Sequence, residues 1–187
     1  MRKIGMILQV ILLLVLVTGG SAFADYAFTL KLGADVSGEL KRSGAGQSSK
    51  KGVKNIGAFS WEMTNTTRYI DFGAGVTCPI KRSLKHDHDY KFCFTPFYGL
   101  FKVHLDSDTT PYLIGQIGYN SFDIDRTTGE QGGLYYGSGI GYTFMKGFLI
   151  EALYSVNKGK QKEYIGKYPL HLDVEYSKVT ISVGKTF

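Results

Sequence analysis

The chain has little that would build a helical or disulfide-rich protein. Of its 187 residues, two are cysteine, four are proline and one is tryptophan. After position 24, no apolar run approaches the roughly 18 residues that a transmembrane helix requires. If the rest of the chain spans a membrane, it does so as a closed sheet, because only helices and closed barrels satisfy every backbone N–H and C=O group in lipid.

The first 24 residues are typical of an export signal. Arg2 and Lys3 supply a charged end, Ile4–Val17 is apolar, and Ala22–Ala24 is a small-residue cleavage pattern. An uncleaved signal anchor is the alternative, but the apolar run is short for a membrane-spanning helix. We therefore expect a signal peptide at residues 1–24 and one domain at residues 25–187.

Alternating apolar and polar residues follow the signal. In the last predicted strand, Val179, Ile181 and Val183 share one face, while Lys178 and Thr180 lie on the other. A strand has a side-chain period of two, so this pattern gives one apolar face and one polar face. The predicted strands are 26–40, 54–64, 68–78, 90–105, 111–123, 132–144, 148–158 and 174–187.

The connections between these strands alternate between long and short. The long ones are 41–53, 79–89, 124–131 and 159–173, and the short ones are 65–67, 106–110 and 145–147. Transmembrane barrels have short turns on the periplasmic side and long outer loops, and both ends of an even-stranded barrel lie on one side. The sequence therefore predicts an all-β fold, an eight-stranded antiparallel up-and-down transmembrane β-barrel.

A soluble barrel of the lipocalin kind is the main alternative, because it also has a leader and period-two strands. Its inner face would be large and apolar, whereas glycine, hydroxyl and oppositely charged residues crowd the polar face of this chain. Enclosed charges of both signs suit a network of ion pairs. The predicted barrel-interior charges are Lys31, Glu62, Asp71, Glu151 and Lys178.

Three segments of the mature chain resemble the OmpA/OmpX/opacity-type family of small outer-membrane barrels. They are Pro111–Gly115 (PYLIG), Tyr136–Tyr142 (YGSGIGY) and Val183–Phe187 (VGKTF). The resemblance covers nearly the whole mature chain and implies a location in a bacterial outer membrane. It also implies that Phe187 is an insertion signal for the barrel assembly machinery. Lys185, which falls on the lipid-facing phase, departs from the family pattern.

The cysteine pair also departs from that pattern, because the family does not generally require one. Cys78 and Cys93 lie at the base of the second long loop. In an exported chain two cysteines favour one structural disulfide. Two free thiols are the alternative.

We predict no catalytic residue, no cofactor and no metal site. His86-Asp87-His88-Asp89 could hold a divalent metal, but nothing fixes a third ligand, and a solvated loop is the simpler interpretation. Lipid A-modifying enzymes occur among barrels of this size, yet none of the four histidines stands in a His-x-Ser pattern. The interior charges could line a porin-like channel, which is a further alternative, but an eight-stranded barrel has an interior just wide enough for side chains to fill it, so packing and ion pairing are the simpler interpretation.

Basic residues gather in the predicted long loops of a chain whose formal net charge is +6. At the outer rim they would meet the phosphates of lipopolysaccharide or an external polyanionic ligand, although general solvation is the alternative. We find no nucleic-acid signature and predict a monomer with a structural or surface-interaction role. The predicted basic loop surface is Lys41, Arg42, Lys50, Lys51, Lys81, Arg82, Lys85, Lys160 and Lys162.

Overall fold

A computed structural model describes residues 26–44, 47–67, 69–85, 91–105, 111–124, 129–144, 147–165 and 168–187. The predicted signal peptide lies outside the described residues. No helix in the described part of the chain is long and apolar enough to cross a membrane. The strands are β1 Tyr26–Gly44, β2 Gln47–Gly52, β3 Gly57–Thr66, β4 Ile70–Pro79, β5 Arg82–Ser83, β6 Lys91–His104, β7 Pro111–Ile124, β8 Glu130–Phe144, β9 Phe148–Ile165 and β10 Tyr168–Thr186.

Eight of these strands form a closed antiparallel ring. Hydrogen-bonded neighbours follow in the order β1, β3, β4, β6, β7, β8, β9 and β10, and β10 pairs back with β1. At the seam Thr29 lies opposite Thr186. Just beyond it Phe28 and Phe187 exchange backbone hydrogen bonds of 3.2 and 2.8 Å. Closure leaves no open edge in the ring, as the sequence predicted.

At one end of the barrel the strands continue into long hairpins. β2 pairs with β1 from Gly52 to Gln47, and β9 pairs with β10 as far as Ile165 and Tyr168. The predicted loop boundaries at 41–53 and 159–173 are therefore wrong. Polar Gly, Ser and Lys residues predict loops, but a neighbouring strand that is already in place supplies partners for their backbone groups. We call this end the long-hairpin end and the opposite one the short-turn end.

Two short segments complete the wall near the long-hairpin end, where β3 and β4 have stopped. The backbone N–H of Val53 donates to Gly38 (3.0 Å), and that of Lys54 donates to Ser83 (3.1 Å). Arg82 of β5 in turn pairs with Phe92 of β6. The segments 52–54 and 82–85 therefore bridge β1 and β6, and Val53, Arg82 and Leu84 are buried.

The outer wall of the barrel is apolar. Several of its large side chains are more than half exposed, a distribution that suits hydrocarbon lipid rather than water. The polar phases of the same strands face inward, with Glu62 fully buried. The exposed apolar residues include Leu32, Phe72, Phe101, Ile117, Ile140 and Val183.

A β-bulge in β1 exchanges the two faces of that strand. The register against β10 shifts between Asp35 and Ser37, so Asp35 and Leu40, five positions apart, are both buried. A bulge adds one residue to one strand and reverses the alternation beyond it. Strict alternation along the predicted strand 26–40 would place Glu39 on the same inward face as Lys31 and Asp35, and that expectation is wrong past Asp35. Glu39 is exposed and lies 3.0 Å from Lys50.

The interior has two dissimilar halves. The half toward the short-turn end is charged and hydrogen-bonded, as predicted. The half toward the long-hairpin end is filled by apolar and aromatic side chains, so the prediction of a polar interior is wrong there. We call this cluster the apolar plug, and it consists of Leu40, Val53, Leu84, Phe92, Phe94, Phe122, Ile124, Val174 and Tyr176.

Candidate functional site

Four charged side chains form a ring across the charged half of the barrel. Lys31 Nζ contacts Glu62 and lies 2.6 Å from Glu151 Oε2. Lys102 Nζ lies 3.2 Å from Glu62 Oε2 and 3.3 Å from Glu151 Oε1. Each amine therefore touches both carboxylates, and the set is electrically neutral. All four residues are at most 5% exposed, and we call them the charge quartet.

Neutral donors satisfy much of the remaining capacity of the quartet. Tyr98 Oη donates to Glu62 at 3.1 Å, and Tyr112 Oη donates to Glu151 at 2.8 Å. Gln116 Nε2 donates to Glu62 at 3.3 Å, and Tyr135 Oη donates to Gln116 at 2.5 Å. This network joins side chains of six of the eight ring strands, β1, β3, β6, β7, β8 and β9, at the level of the quartet.

Sequence reasoning placed Lys31, Glu62 and Glu151 on the inward phase but missed Lys102. The signal was present, because Lys102 lies two residues from Leu100 on the buried phase of β6 and pairs with Asp71 of β4. Apolar residues on both faces of β6 obscured that phase.

A second cluster is centred on Asp35, between the quartet and the apolar plug. Arg82 Nε and Nη2 donate to Asp35 Oδ2 at 2.9 and 2.6 Å. Lys178 Nζ and Thr180 Oγ1 donate to Oδ1, each at 2.8 Å. Tyr176 Oη donates to Oδ2 at 3.3 Å. Asp35 therefore accepts five hydrogen bonds inside the barrel.

The prediction that Arg82 belongs to the basic loop surface is wrong. Its side chain is 1% exposed and points into the barrel. The segment that carries Arg82 forms the short strand β5, which is part of the barrel wall near the long-hairpin end. Pairing with β6 turns the Arg82 side chain inward, although the sequence around it shows no alternation of apolar and polar residues. Its Nε and Nη2 then both donate charge-assisted hydrogen bonds to one oxygen of the Asp35 carboxylate.

The last predicted interior charge, Asp71, lies nearer the short-turn end. Its Oδ2 is 2.9 Å from His104 Nε2, and the His104 ring packs against that of Tyr112. Lys185, on β10, lies on the outer face of the barrel. Its Nζ is 4.9 Å from the ring centroid of the exposed Phe187 and 5.4 Å from that of Phe148. A lysine held by aromatic rings at a membrane boundary is a favourable cation–π arrangement.

The other predicted basic residues lie around the long-hairpin end. Lys50, Lys51, Lys81, Lys85, Lys160 and Lys162 are exposed, whereas Arg42 is partly withdrawn and bonded to Glu163 and Gln161. An open groove of about 390 Å³ runs along the outer face of the hairpins. Three lysines line it, Lys41 from β1 and Lys158 and Lys160 from β9, together with Asp173 and Glu175 of β10.

Comparison with known proteins identifies the architecture. No protein-family model matches the chain, and no characterised protein matches it in sequence. Ail, the attachment invasion locus protein of Yersinia pestis, matches with a TM-score of 0.53 and 12% identity, over 87% of this chain and 99% of Ail. Neisserial surface protein A matches with a TM-score of 0.53 and 19% identity, over 86% and 99%. This chain has the fold of a small outer-membrane barrel.

A second structure of Ail, in complex with the heparin analogue sucrose octasulfate, matches this barrel with a TM-score of 0.52 and 11% identity, over 87% of this chain and 99% of Ail. At these identities the likeness concerns the fold. It confirms the predicted eight-stranded barrel, and these structural neighbours are barrels of bacterial outer membranes, the location predicted for this chain.

The predicted disulfide of the barrel is not formed. Cys78 is an exposed free thiol, and Cys93 is a half-buried one whose Sγ lies 3.8 Å from the Pro79 carbonyl oxygen. The ladder between β4 and β6 ends at Val76 opposite Phe97, before it reaches either cysteine. The two strands therefore give the sulfurs no common register, and export alone was an insufficient ground for pairing them.

We expect Cys78→Ser to leave the stability of the folded barrel within about 0.5 kcal/mol of the parent, as for an exposed side chain without a specific partner. Urea unfolding under non-reducing conditions measures this. Cys93→Ser is the matched control, because it also removes one thiol. A loss of several kcal/mol in both variants that is absent under reducing conditions would show that the bond forms.

No group of three or more His, Cys, Asp or Glu side chains with metal-binding geometry occurs in the ranges that the structure describes. The segment His86-Asp87-His88-Asp89 lies outside those ranges. Within those ranges, His104 Nε2 is hydrogen-bonded to Asp71, and the side chain of His171 is exposed on β10.

Proposed function

We propose that this outer-membrane barrel is a non-enzymatic surface protein whose long-hairpin end binds polyanions. The groove lined by Lys41, Lys158 and Lys160 carries this proposal. Its β10 wall contributes Asp173 and Glu175, so three ammonium groups oppose two carboxylates. Lys158 Nζ lies 3.7 Å from Glu175, a long contact for an ion pair. Exposed Lys162 lies on the same phase of β9, one step beyond Lys160, and adds to the positive field.

The position of the groove fits phosphate or sulfate groups that stand close to a membrane surface. Tyr136 and Tyr154 are exposed on the apolar belt just below it, and Lys158 Nζ lies 5.8 Å from the Tyr136 ring centroid. Aromatic side chains mark the lipid–water boundary of membrane barrels. The groove then faces the phosphates of lipopolysaccharide, and it is also open to a polyanion that approaches from outside.

Solved structures support the choice of probe. Sucrose octasulfate, the molecule bound in the Ail structure, presents a dense array of sulfates in a small molecule and tests the same chemistry here. The apolar belt makes the remaining lipid contacts. We propose that the last strand, with Phe187, is the segment that the assembly machinery engages and that the barrel acts as a monomer.

The filled interior favours this role over the channel alternative. The charge quartet and its tyrosine donors occupy the barrel at one level, and the apolar plug occupies it at another. Ions would have to displace buried ion pairs and then cross an apolar layer, both of which are costly.

We expect replacement of Lys41, Lys158 and Lys160 by glutamine to weaken binding of sucrose octasulfate by about two orders of magnitude at low ionic strength. Each lysine near an anionic surface contributes roughly 1 kcal/mol, and these three converge on one groove. Titration of the folded barrel in detergent measures the affinity, and lipopolysaccharide micelles provide the second arm. Affinity should fall with added salt, because exposed charges are screened.

The matched control replaces Lys51, Lys81 and Lys85 by glutamine, which removes the same formal charge from exposed lysines that do not line the groove. We expect this control to bind nearly as well as the parent. Equal weakening in both triple variants would show diffuse attraction rather than a groove site. Unchanged binding in the groove variant would refute the proposal. Loss toward only one of the two probes identifies which polyanion the groove favours.

A further inference from the structure

The Asp35 cluster carries one more positive than negative charge. Arg82 and Lys178 both bond to Asp35, the only carboxylate that contacts either of them among the described residues. The side chains of Arg82 and Asp35 are each 1% exposed, and that of Lys178 is 9% exposed. The charge quartet is neutral by itself, and Asp71, another buried carboxylate, is bonded to His104 toward the short-turn end rather than to Arg82 or Lys178. A buried charge without compensation costs several kcal/mol, so the excess calls for a counter-charge.

Asp35 has no capacity left to provide it. Both of its oxygens already accept hydrogen bonds from Arg82, Lys178, Tyr176 and Thr180. An ammonium group has three N–H donors, and Lys178 uses one of them on Asp35. The structure gives its other two donors no acceptor among the described side chains.

Ser155 lies directly across from Lys178 in the ladder of β9 and β10. Side chains of such opposite pairs lie side by side on the same face, with Cβ atoms roughly 4.5–5.5 Å apart. Ser155 is 1% exposed, and its Oγ has no hydrogen-bond partner within the described residues. An ammonium group and a hydroxyl, both donors with unused capacity, therefore stand together inside the barrel.

These two side chains line an internal cavity of about 40 Å³. A single water needs roughly 10–15 Å³ measured with a water-sized probe, so the cavity admits one small ion with a water. Its lining is rich in hydrogen-bonding groups, among them Asn157, whose Oδ1 is also unpartnered. The apolar plug lies on one side of the cavity and the charge quartet on the other. Further lining residues are Arg82, Tyr176, Thr180 and Ser182.

We propose that an inorganic monovalent anion of halide size binds in this cavity, between Lys178 Nζ and Ser155 Oγ. The anion neutralises the excess positive charge of the Asp35 cluster and accepts hydrogen bonds from the Lys178 ammonium group and the Ser155 hydroxyl. A water beside it supplies the donor that Asn157 Oδ1 lacks. The anion is then an internal structural ligand that enters when the barrel closes around it.

The test uses the full mature chain, refolded into detergent in bromide or in methanesulfonate at equal ionic strength. Methanesulfonate matches the charge of bromide but exceeds the size of the cavity. A ligand that binds only the folded state lowers the apparent unfolding constant by about tenfold for each tenfold rise in its concentration above Kd. We expect this dependence in bromide only. In crystals grown from bromide we expect a bromine anomalous peak beside Lys178 Nζ.

Two variants and a control separate the site from general salt effects. Lys178→Met removes both the excess charge and the donor, and should abolish the bromide dependence and the anomalous peak. Ser155→Ala keeps the charge, should weaken the dependence, and serves if Lys178→Met does not fold. Lys51→Met removes an exposed charge and should retain both. Identical unfolding in the two salts without a bromine peak would overturn the proposal, because Lys178 would then have lost its proton instead. Bromide dependence that survives in Lys178→Met would equally overturn it.

Discussion

Replacing Glu62 by glutamine should lower the free energy of unfolding by about 3–5 kcal/mol, the usual result of removing one partner from a buried ion pair. Glu62 is 0% exposed and contacts Lys31 and Lys102. Glutamine has nearly the same shape, so the loss reports charge rather than packing. Two ammonium groups would then share Glu151 alone. Urea unfolding of the barrel in lipid vesicles, followed by the heat-modifiable gel mobility of the folded form, measures the change.

The control is Lys50→Met, which breaks the exposed pair between Lys50 and Glu39. Those side chains are 62% and 47% exposed, and exposed pairs contribute at most about 1 kcal/mol. The double variant Lys31→Met with Glu62→Gln restores one amine opposite one carboxylate. We expect its loss to be smaller than the sum of the two single losses, because the sites share one network. A Glu62→Gln loss no larger than that of Lys50→Met would mean that water reaches the quartet.

The barrel was predictable from sequence wherever one face of a strand is apolar and the other polar. In β10, Val183 and Ile181 are exposed while Lys178 is buried, as the alternation required. In β3 and β4, Glu62 and Phe72 likewise fall on the expected faces. Lipid favours apolar side chains on the outer face of each strand, and the narrow interior favours small or polar side chains on the inner face. The two kinds of residue therefore alternate along the sequence with a period of two.

Alternation failed where backbone geometry or chain contacts interrupt it. The bulge after Asp35 reverses the faces of β1, and a second register shift lies between Gly132 and Tyr135 of β8. A bulge leaves almost no mark in composition, so the phase has to be established separately on each side of it. The position of Arg82 was predicted wrongly for a different reason. Its side chain points inward because β5 pairs with β6, and this pairing cannot be recognised in the sequence.

The apolar plug was hidden because strand β6 is apolar on both faces. Phe92 and Phe94 face inward, while Phe101, seven residues after Phe94, faces lipid. Composition cannot distinguish an apolar residue that contacts lipid from one that packs inside the barrel. The distinction depends on Val53 and Leu84, which pair with each other and lie in two segments that were predicted as loops. These contacts join residues far apart in sequence, and only the closed ring brings them together.

Phe94→Ala should lower the free energy of unfolding by about 3–5 kcal/mol, the usual cost of removing a fully buried aromatic ring. The Phe94 ring stacks on that of Phe122, with centroids 4.2 Å apart and planes 11° from parallel. On another side it faces Tyr176 at 6.1 Å and 8°, and Tyr176 donates to Asp35. Loss of the Phe94 ring therefore leaves an apolar cavity, and it also removes packing that holds the Tyr176 ring in place as a donor to Asp35. The same unfolding experiment measures the change.

Phe101→Ala on the same strand is the matched control, because this ring is 51% exposed on the lipid-facing wall. Lipid chains can replace the contacts that Phe101 loses, whereas the surroundings of Phe94 relax only partly and leave a void. We therefore expect the larger loss at Phe94, although both variants remove the same atoms. Equal losses of stability would mean that the side chains of the apolar plug relax around the missing ring as readily as lipid chains do. A larger loss at Phe101 would show instead that the stabilising packing of β6 lies on the outer wall.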